Sequence, residues 1–234
     1  MSNHTYIKQI FLITLSETRY ELFKHLKMLI KFNAIDSRSD SNIFQKYNMT
    51  MNIVPQYKNH YDKCKGAIGC FLSHHTLWKQ IANHPIATDY FLILEDDVLS
   101  EDVLDVYNNY KPPVGLELIN LNQKGSAGSD AYLMNSIGAS KLLKCCNNVI
   151  THPTDRFLFQ YAIQNTNIQF VHIKNKIRLN IKVAAKRTII PEEPSVQNKI
   201  RLNQKVATKR TIPKEKLISS NIPIFMKNKI KLKM

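Results

Sequence analysis

Residues Tyr90-Phe91-Leu92-Ile93-Leu94 form an unbroken apolar run that stops abruptly on three consecutive acids, Glu95-Asp96-Asp97. A run of this length reads as a buried strand, so the carboxylates stand at its C-terminal end. The surrounding chain alternates in the same style. Ile7 to Leu15 is a second apolar strand, and Ser16 is an N-cap candidate for a helix over Glu17 to Ile30, where Leu22, Leu26, Leu29 and Ile30 recur at helical spacing. Asn33-Ala34-Ile35-Asp36 reads as a short strand ending in a carboxylate.

Gly66 to Ala82 carries Ile68, Phe71, Leu72, His75, Leu77, Trp78 and Ile81 in a helical pattern closed by His84-Pro85. Strands follow at Leu116 to Leu121 and Ala131 to Asn135, separated by the loop Gly125 to Ser129, and a helix spans Ile137 to Cys145. Strands alternating with helices predict an α/β fold. In such folds ligands collect outside the carboxyl ends of the strands.

Charge divides the chain in two. From Lys174 onward there are 17 Lys and Arg against three Glu, which leaves 16 basic and 15 acidic residues before it out of totals of 33 and 18. A near-neutral domain over residues 1–173 is therefore expected, followed by a basic tail over 174–234. Within the tail, Asn175 to Ile189 and Asn198 to Ile212 match at 13 of 15 positions, and Asn228 to Lys233 begins a third copy. Pro191, Pro194 and Pro213 interrupt any continuous helix there. The tail reads as a duplicated, weakly structured appendage that suits an anionic membrane surface. It lacks the interleaved aromatics of a single-strand nucleic-acid binder, so nucleic acid is the weaker reading.

The four cysteines make no dense disulfide framework, and adjacent Cys145 and Cys146 do not suit a bridge to each other. No apolar run approaches a membrane span, and the N-terminus lacks the pattern of a signal peptide. The expectation is a cytoplasmic protein, touching the inner face of the membrane only peripherally.

Three adjacent acids oppose one another's ionisation unless a cation offsets them, and a divalent metal is the natural candidate. Cys70 and His74 stand one helical turn apart, a spacing that permits zinc ligation, but no second pair has convincing spacing. His74 is read as a buried hydrogen-bonding residue and Trp78 as a core anchor. No Walker-type loop or nucleophile elbow is present.

Gly66-Ala67-Ile68-Gly69-Cys70 with Ser73-His74 and Leu77-Trp78, then Leu94-Glu95-Asp96-Asp97-Val98, resemble two blocks of the lipooligosaccharide galactosyltransferases, glycosyltransferase family 25. Phe11 to Leu15 with Arg19, Phe32 to Asp36, Ala131-Tyr132-Leu133 with Gly138-Ala139, and Pro153-Thr154-Asp155 extend the similarity over roughly residues 6 to 172. Ala67 departs from the Glu common in the family.

The resemblance implies a GT-A-like nucleotide-diphospho-sugar transferase fold, a single mixed sheet flanked by helices. It also implies metal-dependent, inverting transfer of a hexose, galactose from UDP-galactose, to a lipooligosaccharide or lipopolysaccharide acceptor. Mn²⁺ or Mg²⁺ is the implied metal, with Glu95, Asp96 and Asp97 as its ligands and Asp97 leading. Thr14, Arg19, Asp36 and Asp96 are the candidates for holding the donor, Arg19 at the diphosphate and Asp36 at the ribose. Asp155 is the candidate general base. A catalytically silent relative and a nucleic-acid-binding protein are the competing readings.

Overall fold

The structure is a computed structural model that describes residues 6–123 and 128–180. In chain order its elements begin with β1 (Ile7–Thr14), α1 (Glu17–Glu21), β2 (Leu29–Asn33), α2 (Ile43–Lys46), β3 (Thr50–Met51) and α3 (Lys58–Lys63). There follow α4 (Ala67–Ala82), β4 (Tyr90–Glu95), α5 (Ser100–Asn109), β5 (Leu118–Asn122), β6 (Ala131–Met134) and α6 (Ser136–Cys146). The described part ends with β7 (Val149–Ile150), α7 (Thr154–Arg156), a π turn at Phe157–Tyr161, α8 (Ala162–Asn165) and β8 (Phe170–Ile177).

Six strands form one mixed sheet in the order β2-β1-β4-β6-β5-β8, in which β6 runs antiparallel to both its neighbours and the other pairings are parallel. The expected α/β architecture is therefore present. Strand alternation explains the layers, because successive side chains leave opposite faces. Phe11 and Ile13 of β1 with Phe91 and Ile93 of β4 enter the core beneath α4 and α6, whereas Ile10, Leu12, Leu92 and Leu94 enter a second core with Val103 and Val106 of α5. Trp78, Phe71 and Tyr132 are fully or almost fully buried in the first core, and each large side chain so buried contributes about 1.5–3 kcal/mol of transfer free energy.

Two expectations need correction. The helix foreseen over Glu17 to Ile30 stops at Glu21, because Leu29 to Asn33 pair in parallel with Ile10 to Thr14 instead. Of the residues whose spacing suggested a longer helix, Leu26 is buried in the connection, and Leu29 and Ile30 belong to β2. The second strand accordingly lies upstream of Asn33-Ala34-Ile35-Asp36, which leads away from it.

The boundary placed after residue 173 falls inside β8. Beyond it, Leu179 bridges Val98, Leu99 N–H donates to the Arg178 carbonyl at 2.9 Å, and Asn180 N–H donates to the Asp97 carbonyl at 2.6 Å. Ladder hydrogen bonds thus draw the first basic residues into the fold. The repeats beyond residue 180 lie outside the described residues.

Candidate active site

Parallel pairing brings the ends of β2, β1 and β4 to one edge of the sheet, so Asn33, Thr14 and Glu95 finish side by side. Antiparallel β6 starts at that same edge. Leu94 pairs with Ala131, and Glu95 N–H donates to the Asp130 carbonyl at 2.8 Å. Asp130 therefore faces the acidic turn although it lies far away in sequence. The loop after β2 closes one side: Ser73 Oγ accepts from Ile35 N–H at 2.8 Å, and Ser37 Oγ accepts from Gly69 N–H at 2.9 Å. Gly69 is required there, since a Cβ would lie 2.1 Å from the Ile35 carbonyl oxygen.

Glu95, Asp97 and Asp130 each offer a carboxylate oxygen, and these oxygens lie within 4.8 Å of one another. Asp97 and Asp130 are buried, and Glu95 is mostly so. Like charges held this closely in a low-dielectric setting repel strongly, and a divalent cation relieves that repulsion. The donor set is all oxygen and anionic, which fits a hard cation such as Mn²⁺ or Mg²⁺.

Asp96 has a different setting. Its Oδ1 accepts from Arg19 Nη1 at 2.8 Å and its Oδ2 accepts from Thr14 Oγ1 at 2.5 Å, while the residue is only 4% exposed. Charge-assisted bonds of this type hold the carboxylate to the β1–α1 turn. Three residues expected at the donor therefore meet here as one group. Ser16 completes the turn as the N-cap of α1, its side chain accepting from Arg19 N–H.

Asp36 lies in the loop following β2, where Arg38 binds its carboxylate through Nε at 2.7 Å and Nη2 at 2.5 Å. This pairing pulls the Asp36 pKa down to about 2. Asp155 opens α7, and burial pushes its carboxyl above the usual range despite opposing hydrogen bonds and the nearby Arg156. Its neighbour Thr154 places Oγ1 3.4 Å from Cys70 Sγ, and Cys70 Sγ is 4.0 Å from Glu95 Oε1. The α7 start thus adjoins the acidic cluster through Cys70.

Behind Glu95 runs a buried polar chain. Trp78 Nε1–H donates to the Tyr132 hydroxyl at 3.0 Å, and that hydroxyl shares a hydrogen bond of 2.8 Å with His74 Nδ1. His74 Nε2 then faces Glu95 Oε1 at 3.4 Å, and Ser129 Oγ–H donates to the same oxygen at 2.6 Å. His74 is buried and hydrogen-bonded as foreseen from the sequence. Desolvation holds the Tyr132 hydroxyl far above its ordinary pKa, so it stays protonated within this chain.

Asp130 and Ser129 were not singled out from the sequence. The available signal was their place at the junction of a Gly/Ser loop and a strand, but only the antiparallel pairing of β4 with β6 sets them opposite Glu95.

Residues 7–114 match the family model described as glycosyltransferase family 25 (LPS biosynthesis protein). The chain is 31% identical over 107 residues to a glycosyltransferase 25 family member of Anopheles gambiae, covering 41% of this chain and 17% of that one. It is 28% identical over 103 residues to human procollagen galactosyltransferase 2, covering 40% and 16% respectively. Over 73 residues it is 30% identical to the mouse inactive glycosyltransferase 25 family member 3, covering 30% and 12%. The matched segment thus spans less than a fifth of each relative's length. The similarity to glycosyltransferase family 25 thus rests on residues 7–114, which carry β1, the Gly69 helix and the acidic end of β4.

Proposed function

We propose that this chain is a metal-dependent glycosyltransferase of the GT-A type that moves a hexose, galactose from UDP-galactose, onto a saccharide acceptor with inversion. The observation that carries the reading is the convergence of Glu95, Asp97 and Asp130 at the carboxyl edge of the sheet, beside the turn that holds Arg19. In this reading those three acids hold Mn²⁺ or Mg²⁺, which when bound neutralises charge growing on the departing diphosphate.

Asp96 and Thr14 keep the β1–α1 turn in place and present Arg19, whose side chain retains 23% exposure, toward the phosphates. Asp36, at the same edge, accepts from the ribose hydroxyls, with Arg38 beside it. Asp155 takes the proton of the acceptor hydroxyl as its oxygen bonds to the anomeric carbon and the bond from that carbon to the diphosphate breaks. Its raised pKa suits a base working nearer neutral pH.

The acceptor in this reading is a lipooligosaccharide or lipopolysaccharide saccharide at the inner face of the cytoplasmic membrane. Support for peripheral attachment comes from the density of Lys and Arg after residue 174. No helix among the described residues is long and apolar enough to cross a membrane. A panel of UDP-sugars incubated with Mn²⁺ and truncated lipooligosaccharide tests the proposal. Metal-dependent release of UDP coupled to acceptor extension supports it.

Likeness to a relative described as inactive favours one second reading, a chain that keeps the fold without transfer. Binding of donor and Mn²⁺ with no turnover on any sugar would select that reading.

A further inference from the structure

Cys70 and His74 lie on one face of α4, and the end of β4 brings Glu95 against them. One ligand atom from each residue lies within 4.8 Å of the other two. One separation already has the size that a small tetrahedral centre requires, and the other needs to shorten by a few tenths of an ångström. Bonds of about 2.3 Å to sulfur and about 2.0–2.1 Å to nitrogen or oxygen give ligand–ligand edges of about 3.3–3.6 Å. His74 Nε2 is 3.4 Å from Glu95 Oε1, and Cys70 Sγ is 4.0 Å from that oxygen.

The histidine is prepared for such a role. It is fully buried, its Nδ1 is anchored by Tyr132, and its Nε2 makes no hydrogen bond although it points at Glu95. An outer hydrogen bond that fixes the ring is the usual support of a metal-ligating imidazole. Ligation through Nε2 places the ring proton on Nδ1, so the Tyr132 hydroxyl accepts from both His74 Nδ1–H and Trp78 Nε1–H through its two lone pairs. Thr154 Oγ1, 3.4 Å from Cys70 Sγ, stands beside the same space.

We propose that Cys70, His74 and Glu95 form a binding site for Zn²⁺, separate in ligand chemistry from the all-carboxylate site of Glu95, Asp97 and Asp130. Thiolate and imidazole select a softer cation than oxygen ligands do, and binding releases the Cys70 thiol proton. Because Glu95 belongs to both groups, Zn²⁺ draws it away from the harder cation. That competition rests on the transferase reading, whereas zinc binding itself does not.

The full-length chain, titrated with Co²⁺ as an optical substitute for Zn²⁺, tests the site without reference to turnover. The expected result is a thiolate-to-cobalt charge-transfer band that Zn²⁺ abolishes and Mg²⁺ does not. Cys70→Ser should remove the band and weaken zinc binding about tenfold or more, while Cys64→Ser, at an exposed thiol, leaves both unchanged. A band that survives Cys70→Ser, or no band at all, overturns the proposal. Should the serine variant fold poorly, alkylation of the wild-type protein followed by mass spectrometry gives the answer: Zn²⁺ must slow modification of Cys70 and not of Cys64. Equal rates with and without Zn²⁺ would equally refute the site.

Discussion

Glu95 N–H donates to the Asp130 carbonyl at 2.8 Å, which locks the acid ending β4 opposite the acid preceding β6. Backbone register, rather than side-chain choice, therefore fixes the spacing of the two carboxylates. Asp130→Asn and Asp97→Asn should each weaken Mn²⁺ binding at least about tenfold, a loss of roughly 1.4 kcal/mol or more, with little change in the fold. Asp105→Asn, on the exposed face of α5, should bind as the wild type does. Free Mn²⁺ read by electron paramagnetic resonance makes the comparison, and tight binding by the Asp130 variant would remove that residue from the site.

Asp96 should behave differently from its neighbours. Its carboxylate is already bonded to Arg19 and Thr14, so Asp96→Asn removes charge-assisted bonds from a buried position. A stability loss of about 1.5–3 kcal/mol is expected, at the low end because Arg19 is partly solvated. Metal affinity should fall less than in the Asp130 variant. Urea unfolding alongside metal titration separates these effects, and an unfolding midpoint equal to wild type would contradict the assigned role.

The clamp formed by residues 178–180 yields a third expectation. Arg178 bonds Asp102 in bidentate fashion, at 2.9 and 2.8 Å, and this depresses the Asp102 pKa below its ordinary 3.8. A depressed carboxyl contributes stability that is complete above 3.8 and disappears as pH falls through the folded-state value. Asp102→Asn should consequently be less stable than wild type at neutral pH, with the gap closing only in strong acid. Truncation after Asn180 should preserve cooperative melting, while truncation after Ile173, which cuts β8 and removes the clamp, should lower the melting temperature markedly. Equal melts for the two truncations would refute the clamp.

Much of this arrangement was legible in residue order. The apolar run of β4 and the periodicity of α4 reflect local burial, and the acids at the end of β4 could be placed at a strand terminus from the run alone. Asp130 could not be found that way, because its importance depends on a pairing between β4 and β6 across an intervening strand and loop. The same limit explains Leu29 to Asn33, whose apolar residues fit a helix until β1 is available as a partner. Helix α5 escaped notice because only Val103 and Val106 of it are buried, too few for a strong period. Arg38, adjacent in sequence to the Asp36 loop, was visible but silent, since nothing in composition says which cation will fold back onto a carboxylate.

Asp155 allows stability and chemistry to be set against each other in one variant. Burial raises its pKa above 3.8, so the folded protein holds that proton more tightly than the unfolded chain. Below 3.8 both states are protonated and no difference arises; as pH climbs, the unfolded chain ionises first, and a stability cost grows until the folded-state value is passed. Asp155→Asn removes that cost. The variant should therefore be more stable than wild type at neutral pH, with the advantage fading toward 3.8. If Asp155 also accepts the proton of the acceptor hydroxyl, the same substitution lowers turnover by about 10²–10⁴-fold, while Mn²⁺ and donor affinity are retained. Melting curves across pH, together with kcat and donor KM, test both halves. A variant that is more stable and still turns over normally would leave Asp155 a buried acid with no part in transfer, and one that loses donor binding in step with turnover would place it on the donor side.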